Sequence, residues 1–237
     1  MLTVVVPTMW RYRPFVSFLN NLCKLEVIDE IIVINNDRDR TPWQDLRTTD
    51  KVRWVDQGCN LFVNPSWNLG VEMAQNPNVC IINDDVIVDF KLFILMDEFM
   101  THNKLNIGLA GIHPGDPNFN QLPFTDGAID LVGWRDEWSS STAGMRFGLG
   151  TLFFVRKENW IPIPEEMKLY YGDDWAFETT KHNGKDNYLI TNCLYYSPNA
   201  QTCVDIMKEI DYNETITKED AIYRERIQNF YEGNQQL

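Results

Sequence analysis

Two short acidic stretches of this 237-residue chain carry residue types that could do chemistry. The first is Asn83-Asp84-Asp85, which interrupts the apolar run VCIINDDVIVD. A buried strand that delivers adjacent carboxylates into a loop makes a place where a divalent cation can bridge the protein and a diphosphate. Successive residues point in different directions, so Asp85 is assigned to the metal and Asp84 to a ribose or to an outer contact. The same tripeptide also reads as a solvated turn or a helix cap. The second stretch is Asp173-Asp174 in YYGDDWAFETTK, where Gly172 turns the chain into a helix among large aromatic residues. A helix amino terminus stabilises a carboxylate as the anion, while aromatic walls desolvate it and push its pKa upward. A general base and an ordinary N-cap both fit that placement.

The surrounding pattern says what must hold these residues. TVVVPT reads as a buried first strand stopped by Pro7, and Pro14 is placed to open a helix with Phe15, Phe18, Leu19 and Leu22 on one face. EIIVINND and VRWV predict the second and third strands, and Asn64 with Pro65 predicts the N-cap and first turn of a helix running to about Ala74. VCIINDDVIVD predicts a fourth strand that meets Asn83, Asp84 and Asp85 where its hydrophobic stretch is interrupted. Asp89 then caps a helix striped by Leu92, Phe93, Met96, Phe99 and Met100, and IGLAGI is a further strand. Strands alternating with helices predict a single α/β domain with a mostly parallel central sheet flanked by helices, and such sheets place ligands at the carboxyl ends of their strands. From about 115 to 150 the chain is loop-rich, with a Ser139–Thr142 cluster, before TLFFV returns as a strand. A helix from Gly172 to about His182, short strands in YLIT and CLYYS, and a helix signalled by Thr217–Asp220 and ending near Tyr231 complete the pattern.

Bulk properties narrow the partners. With 34 acidic against 21 basic residues the formal charge is -13, which repels a phosphate backbone and argues against nucleic-acid binding. A phosphorylated ligand should therefore be small and accompanied by a cation. Cys23, Cys59, Cys80, Cys193 and Cys203 are scattered, odd in number and never in a CxxC pair, so neither a disulfide framework nor a zinc site is indicated. No basic leader and no run of about 18 apolar residues is present; the expectation is a soluble, cytoplasmic protein without an integral membrane segment. His102, His113 and His182 lack ligand-like spacing, although His113 directly follows the IGLAGI strand. Trp134, Trp138 and Trp175 fit either core packing or stacking on sugar faces.

VVVPT, the second strand ending in Asn36 and Asp37, NPSWNLG from Asn64 to Gly70, NDD after the fourth strand and GDDW ahead of a helix stand in the order seen in family 2-like GT-A glycosyltransferases. The resemblance covers roughly the first 190 residues and rests on order and spacing more than on any one motif. It implies a Rossmann-like GT-A fold that takes a sugar from a nucleotide-diphosphate donor, with a leaning to UDP, to a carbohydrate or other hydroxyl acceptor. It places Pro7, Thr8 and Asp37 in the nucleoside pocket, with Trp10 and Arg11 adjoining. Asn64 and Asn68 become either donor contacts or capping and packing residues. NDD resembles the family's DXD motif with Asn83 in place of its first Asp, so that Asn83 and Asp84 face the donor and Asp85 keeps the position that binds Mn²⁺ or Mg²⁺. GDDW resembles the Glu-Asp acceptor motif, Asp173 replacing the Glu and Asp174 matching the base of an inverting transfer.

Relatives of this family often carry a late metal-binding His, where this chain has LYYSPNAQT; Ser197, water or a diphosphate oxygen is left for that role. The implied organisation is a transferase domain over 1–200, divided into a nucleotide-sugar half (1–112) and an acceptor half (113–200), followed by a helical extension over 201–237. Two other readings stand beside it. One is a nucleotidyltransferase acting on sugar phosphates, against which counts the lack of a glycine-rich basic loop or a GxxxxGK[ST] sequence. The other is a catalytically silent carbohydrate-binding module of the same fold. A glycosidase would leave the strand-borne NDD without a purpose.

Overall fold

The structure, a computed structural model, describes residues 1–40, 46, 49–102, 106–112, 131–134, 150–197 and 211–233. In chain order the elements are β1 (Leu2–Thr8), α1 (Phe15–Leu22), β2 (Ile28–Asn35), β3 (Val52–Asp56), α2 (Val63–Met73), β4 (Asn78–Ile82), β5 (Ile87–Val88), α3 (Lys91–His102), β6 (Ile107–Gly111), β7 (Leu131–Trp134), β8 (Leu152–Arg156), α4 (Gly172–His182), β9 (Asp186–Ile190), β10 (Tyr195–Tyr196) and α5 (Tyr212–Tyr231).

Every residue of β1 is buried, the mark of a strand covered on both faces. Its side chains alternate between two cores. Leu2, Val4 and Val6 join α1 and α3 on one side, and Val5 joins α2, α4 and α5 on the other. β2 divides in the same way, Ile31 and Val33 facing one core and Ile32 and Ile34 the other, as a period of two demands. The continuous apolar runs of the first half are therefore the central strands of a sheet with helices on both faces.

The main sheet has the order β3-β2-β1-β4-β8-β6-β9-β7. β1 pairs in parallel with β2 and β4, and β2 with β3. β8 runs antiparallel between β4 and β6, β9 lies parallel to β6, and β7 is an antiparallel edge. The predicted α/β class with a mostly parallel central sheet flanked by helices is thus present, and β8 reverses direction at the centre.

Three details differ from the sequence reading. Asn64 lies inside the first turn of α2, because the helix starts at Val63 with Phe62 at the N-cap in a left-handed conformation (φ 67°) and no side-chain cap. The VIV of NDDVIVD does not prolong β4: Val86 N–H turns back to the Asn83 carbonyl at 3.3 Å, and the segment beyond pairs antiparallel with β10 in a small sheet of its own. The last helix begins at Tyr212, well before the Thr217 signal, because Asp211 caps it by accepting from Glu214 N–H at 3.0 Å. That helix is not peripheral, since Tyr223, Ile227 and Phe230 enter the second core. Among the described residues no helix is long and apolar enough to cross a membrane.

Candidate active site

Parallel strands end their carboxyl termini on one side of the sheet, and a cleft of about 740 Å³, open to solvent, lies there. Pro7, Thr8 and Met9 line it from the end of β1, Asn36 from the end of β2, and Asn83, Asp84 and Asp85 from the end of β4. Asn60, Phe62 and Val63 ahead of α2 form a second wall, closed by Thr151, Leu169 and Ser197.

Asp84 is only 5 % exposed. Thr8 Oγ1 donates to its Oδ2 at 2.6 Å, and the same hydroxyl oxygen accepts from Trp10 N–H at 2.9 Å. Burial pushes the Asp84 carboxyl up to about 7; the Thr8 hydroxyl pulls against this, the neighbouring Asp85 charge adds to it, and the Met9 and Asp84 backbone N–H groups lower it. Burial next to a second carboxylate thus penalises its anion at neutral pH. Asp85, also 5 % exposed, lies two residues before β5. β10 pairs Tyr195 with Val88 and Tyr196 with Ile87, directly after the acidic pair. The Tyr195 hydroxyl is raised by burial, lowered by the hydroxyls of Thr151 and Ser197 and raised by Asp85; the Tyr12 hydroxyl is raised by burial, then by Tyr196 and Asp85.

The opposite wall is organised by Asn36, a buried residue. Its carbonyl oxygen accepts from Leu61 N–H at 3.1 Å, and its amide donates to Ser66 Oγ at 3.0 Å and to the Phe62 carbonyl at 3.4 Å. One side chain thereby joins the end of β2 to the start of α2. Asn36, Met9, Asn60, Phe62, Val63, Thr151 and Leu169 are cleft residues that reading the sequence for chemistry did not single out. A polar residue buried at a strand's carboxyl end was the available signal for Asn36. The left-handed backbone of Phe62, Trp10 (φ 56°) and Tyr171 (φ 60°) was not visible in their residue types, although such strain gathers around functional sites.

Of the predicted site residues, the cleft gathers Pro7, Thr8, Asn83, Asp84 and Asp85. Four others are used differently. Trp10 is packed against Phe15 and Trp54 at ring distances of 5.8 and 5.6 Å, with its indole N–H donating to Asn35 Oδ1 at 3.1 Å; it is a core residue. Asp37 pairs with Arg40 at 3.3 Å and accepts from Asp39 N–H at 3.1 Å. Asn64 donates its amide to the Met167 and Tyr170 carbonyls at 3.2 and 2.9 Å. Asn68 accepts from Trp160 Nε1 and Ile163 N–H and donates to the Ile163 carbonyl. The side-chain amide N–H₂ of Asn64 and both polar groups of Asn68 are thus engaged by residues 160–170, while the buried Asn64 Oδ1 has no hydrogen-bond partner. Arg11 is half-buried beyond Trp10 and is not among the cleft-lining residues.

Asp173 and Asp174 open α4. Asp173 Oδ2 accepts from Gly150 N–H at 3.0 Å, which ties the helix start to the end of the chain preceding β8. Asp174 is 2 % exposed. Trp175 packs edge-on to Phe230 at 5.8 Å and donates to the Ile161 carbonyl, so it serves the core and not a sugar face. His182 packs on Phe230 and Tyr231. His113, Trp138, the Ser139–Thr142 cluster, Cys203 and nearly all of the 115–150 loop lie outside the described residues.

Asp84, Asp85 and the oxygen groups of Asn83, Thr151 and Ser197 around one cleft form a hard, oxygen-only donor set. Such a set suits Mg²⁺ or Mn²⁺ completed by water and phosphate oxygens. A cation beside the acidic pair would also offset the charge that burial penalises at Asp84. Among the described residues no group of three or more His, Cys, Asp or Glu gathers to hold a metal.

A central sheet parallel through β3, β2, β1 and β4, reversed at β8, with an acidic pair at the end of β4, is a Rossmann-like arrangement of the GT-A type. Solved structures share it. The chain is similar to residues 1–349 of S. aureus TarS at 14 % identity, over 88 % of this chain and 63 % of that one, with a TM-score of 0.57. It is similar to the same protein in complex with UDP-GlcNAc (15 % identity, 82 % and 57 %, TM-score 0.54) and to GalNAc-T7 with UDP, GalNAc and Mn²⁺ (11 %, 85 % and 44 %, TM-score 0.55). At these identities the likeness is one of fold, and the chain spans less than two thirds of the length of each of these structures. No protein-family model matches the sequence, and no curated protein matches it.

Proposed function

We propose that this protein is a glycosyltransferase that moves a sugar from a nucleotide-diphosphate donor, most simply a UDP-sugar, to an acceptor hydroxyl. The observation that carries the proposal is the cleft at the ends of β1, β2 and β4 with Asp84 and Asp85 in it. Support comes from the fold's likeness to structures crystallised with UDP-GlcNAc and with UDP, GalNAc and Mn²⁺.

In this reading the end of β1 and the Asn36–Phe62 wall hold the nucleoside. Asp84, steadied by Thr8, faces the donor's ribose. Asp85 holds a divalent cation, Mn²⁺ or Mg²⁺, which when bound neutralises the diphosphate as leaving group. Asp174 accepts the proton of the acceptor hydroxyl as its oxygen bonds to the anomeric carbon and the bond from that carbon to the diphosphate oxygen breaks, a single displacement with inversion. The acceptor is a carbohydrate or another hydroxyl compound, bound by the 113–200 half, and the protein works in the cytoplasm.

The test is release of nucleoside diphosphate from a panel of nucleotide-sugars with Mn²⁺, Mg²⁺ or chelator, comparing wild type with Asp85→Ala. Metal-dependent release that the variant loses is the expected result. No release, together with no calorimetric binding of any donor, would leave a non-catalytic module of the same fold.

A further inference from the structure

The backbone of residues 167–171 runs along the cleft wall at Leu169 and leads into the start of α4. It is an irregular segment whose polar groups need partners, and it is gripped from two sides. From α2, Asn64 N–H donates to the Lys168 carbonyl at 3.0 Å, and the Asn64 amide reaches the carbonyls of Met167 and Tyr170. From α5, the Glu219 carboxylate accepts from three successive backbone N–H groups: Lys168 at 3.0 Å, Leu169 at 3.0 Å to one oxygen and 3.3 Å to the other, and Tyr170 at 2.7 Å. Glu219 is 3 % exposed. Successive N–H groups converging on one anion form a nest, whose geometry the anion itself enforces, and charge-assisted bonds of this kind are about twice as strong as neutral ones.

The grip continues past the nest. Tyr171, in its left-handed conformation, lays its ring on Tyr223 at 5.3 Å and 15° between planes. Tyr223 stands four residues after Glu219 and therefore on the same face of α5. Gly172 follows so close to Asn64 that a Cβ would lie 2.1 Å from Asn64 Oδ1. Asp173 and Asp174 come next. The last helix of the chain thus sets the path by which the chain enters both the Leu169 wall and the second acidic pair.

We infer that Glu219 is a positioning residue for this site: its carboxylate shapes the 168–170 backbone and so places Leu169 against the donor and Asp174 against the acceptor. The catalytic part of this inference rests on the transferase reading; the ordering of the loop does not. Glu219→Gln keeps size and puts an N–H₂ where the nest needs an acceptor, while Glu219→Asp keeps the charge and shortens the reach. Tyr231→Phe is the control, because it removes a part-buried hydrogen bond to Glu178 between α5 and α4 without touching the loop.

Two readouts on the full chain decide the matter. In hydrogen exchange, Glu219→Gln should expose the amides of 168–170 at a temperature where the protein stays folded, Glu219→Asp should restore part of the protection, and Tyr231→Phe should leave those amides protected. In UDP release with Mn²⁺, Glu219→Gln should lower kcat by about tenfold or more with a smaller change in donor KM, and Tyr231→Phe at a comparable loss of melting temperature should not. Unchanged exchange at 168–170 in Glu219→Gln, or an opened loop with unchanged turnover, would overturn the inference. A wild type that turns over no nucleotide-sugar removes the transferase reading instead, and the exchange result then decides the ordering role by itself.

Discussion

Asp84-Asp85 and Asp173-Asp174 are the same dipeptide in different mechanical settings. The first ends a parallel strand and faces an open cleft, with Asp84 held by the Thr8 hydroxyl and the Met9 and Asp84 backbone N–H groups. The second opens a helix, where Asp173 is fastened to Gly150 N–H and Asp174 is turned into the protein. At the strand end the charge of the first pair is eased by the Thr8 hydroxyl and by the Met9 and Asp84 N–H groups, and a cation would ease it further. A helix amino terminus supplies about half a positive charge and free N–H groups, and the second pair stands in the first turn of α4 beside them. In the proposed function the first pair would hold the cation and the second would accept the proton.

The sharpest way to separate the two is Asp174→Asn, which should lower kcat by about 10²–10⁴ while calorimetric binding of UDP with Mn²⁺ stays near wild type; matched losses in both would remove the base assignment. Asp85→Ala should do the reverse, weakening Mn²⁺-dependent UDP binding by about 10- to 100-fold and making the remainder insensitive to chelator, as read by titration. Gly172→Ala would strain the second pair's support alone, since its Cβ would lie 2.1 Å from Asn64 Oδ1; a stability loss of about 1–3 kcal/mol in urea unfolding is expected. The smallest effect should come from Thr8→Val, which strips the buried Asp84 carboxylate and Trp10 N–H of a shared partner and should cost about 1–2 kcal/mol. If Mn²⁺ raises the melting temperature of the Asp85→Ala variant as much as that of wild type, the contrast between the pairs fails.

Much of the fold could be read in advance because its signals are local. The run TVVVPT had to be a doubly covered strand, and Phe15, Phe18, Leu19 and Leu22 had to share a helix face; both did. Asp84 and Asp85 were recognisable because paired carboxylates at the end of an apolar strand are hard to bury without a purpose. The sequence stayed ambiguous where one residue type serves two ends. Asn64 and Asn68 have the chemistry of ligand contacts, but an amide also satisfies irregular backbone, and only the fold brings 160–170 alongside α2 to claim them. Trp10 likewise looked like a pocket residue until Phe15 and Trp54 closed around it.

Sequence by itself determined the α/β class, the strands whose ends carry acid, and the position of the carboxyl pairs, because periodicity and strand termini are properties of neighbouring residues. Tertiary structure decided which polar side chains face the cleft. It also decided that β8 would run antiparallel beside β4 and that a carboxylate from the last helix would close around the backbone of 168–170. Those outcomes depend on contacts between segments tens of residues apart, and no local pattern encodes which of several chemically equivalent partners a buried amide or carboxylate will meet.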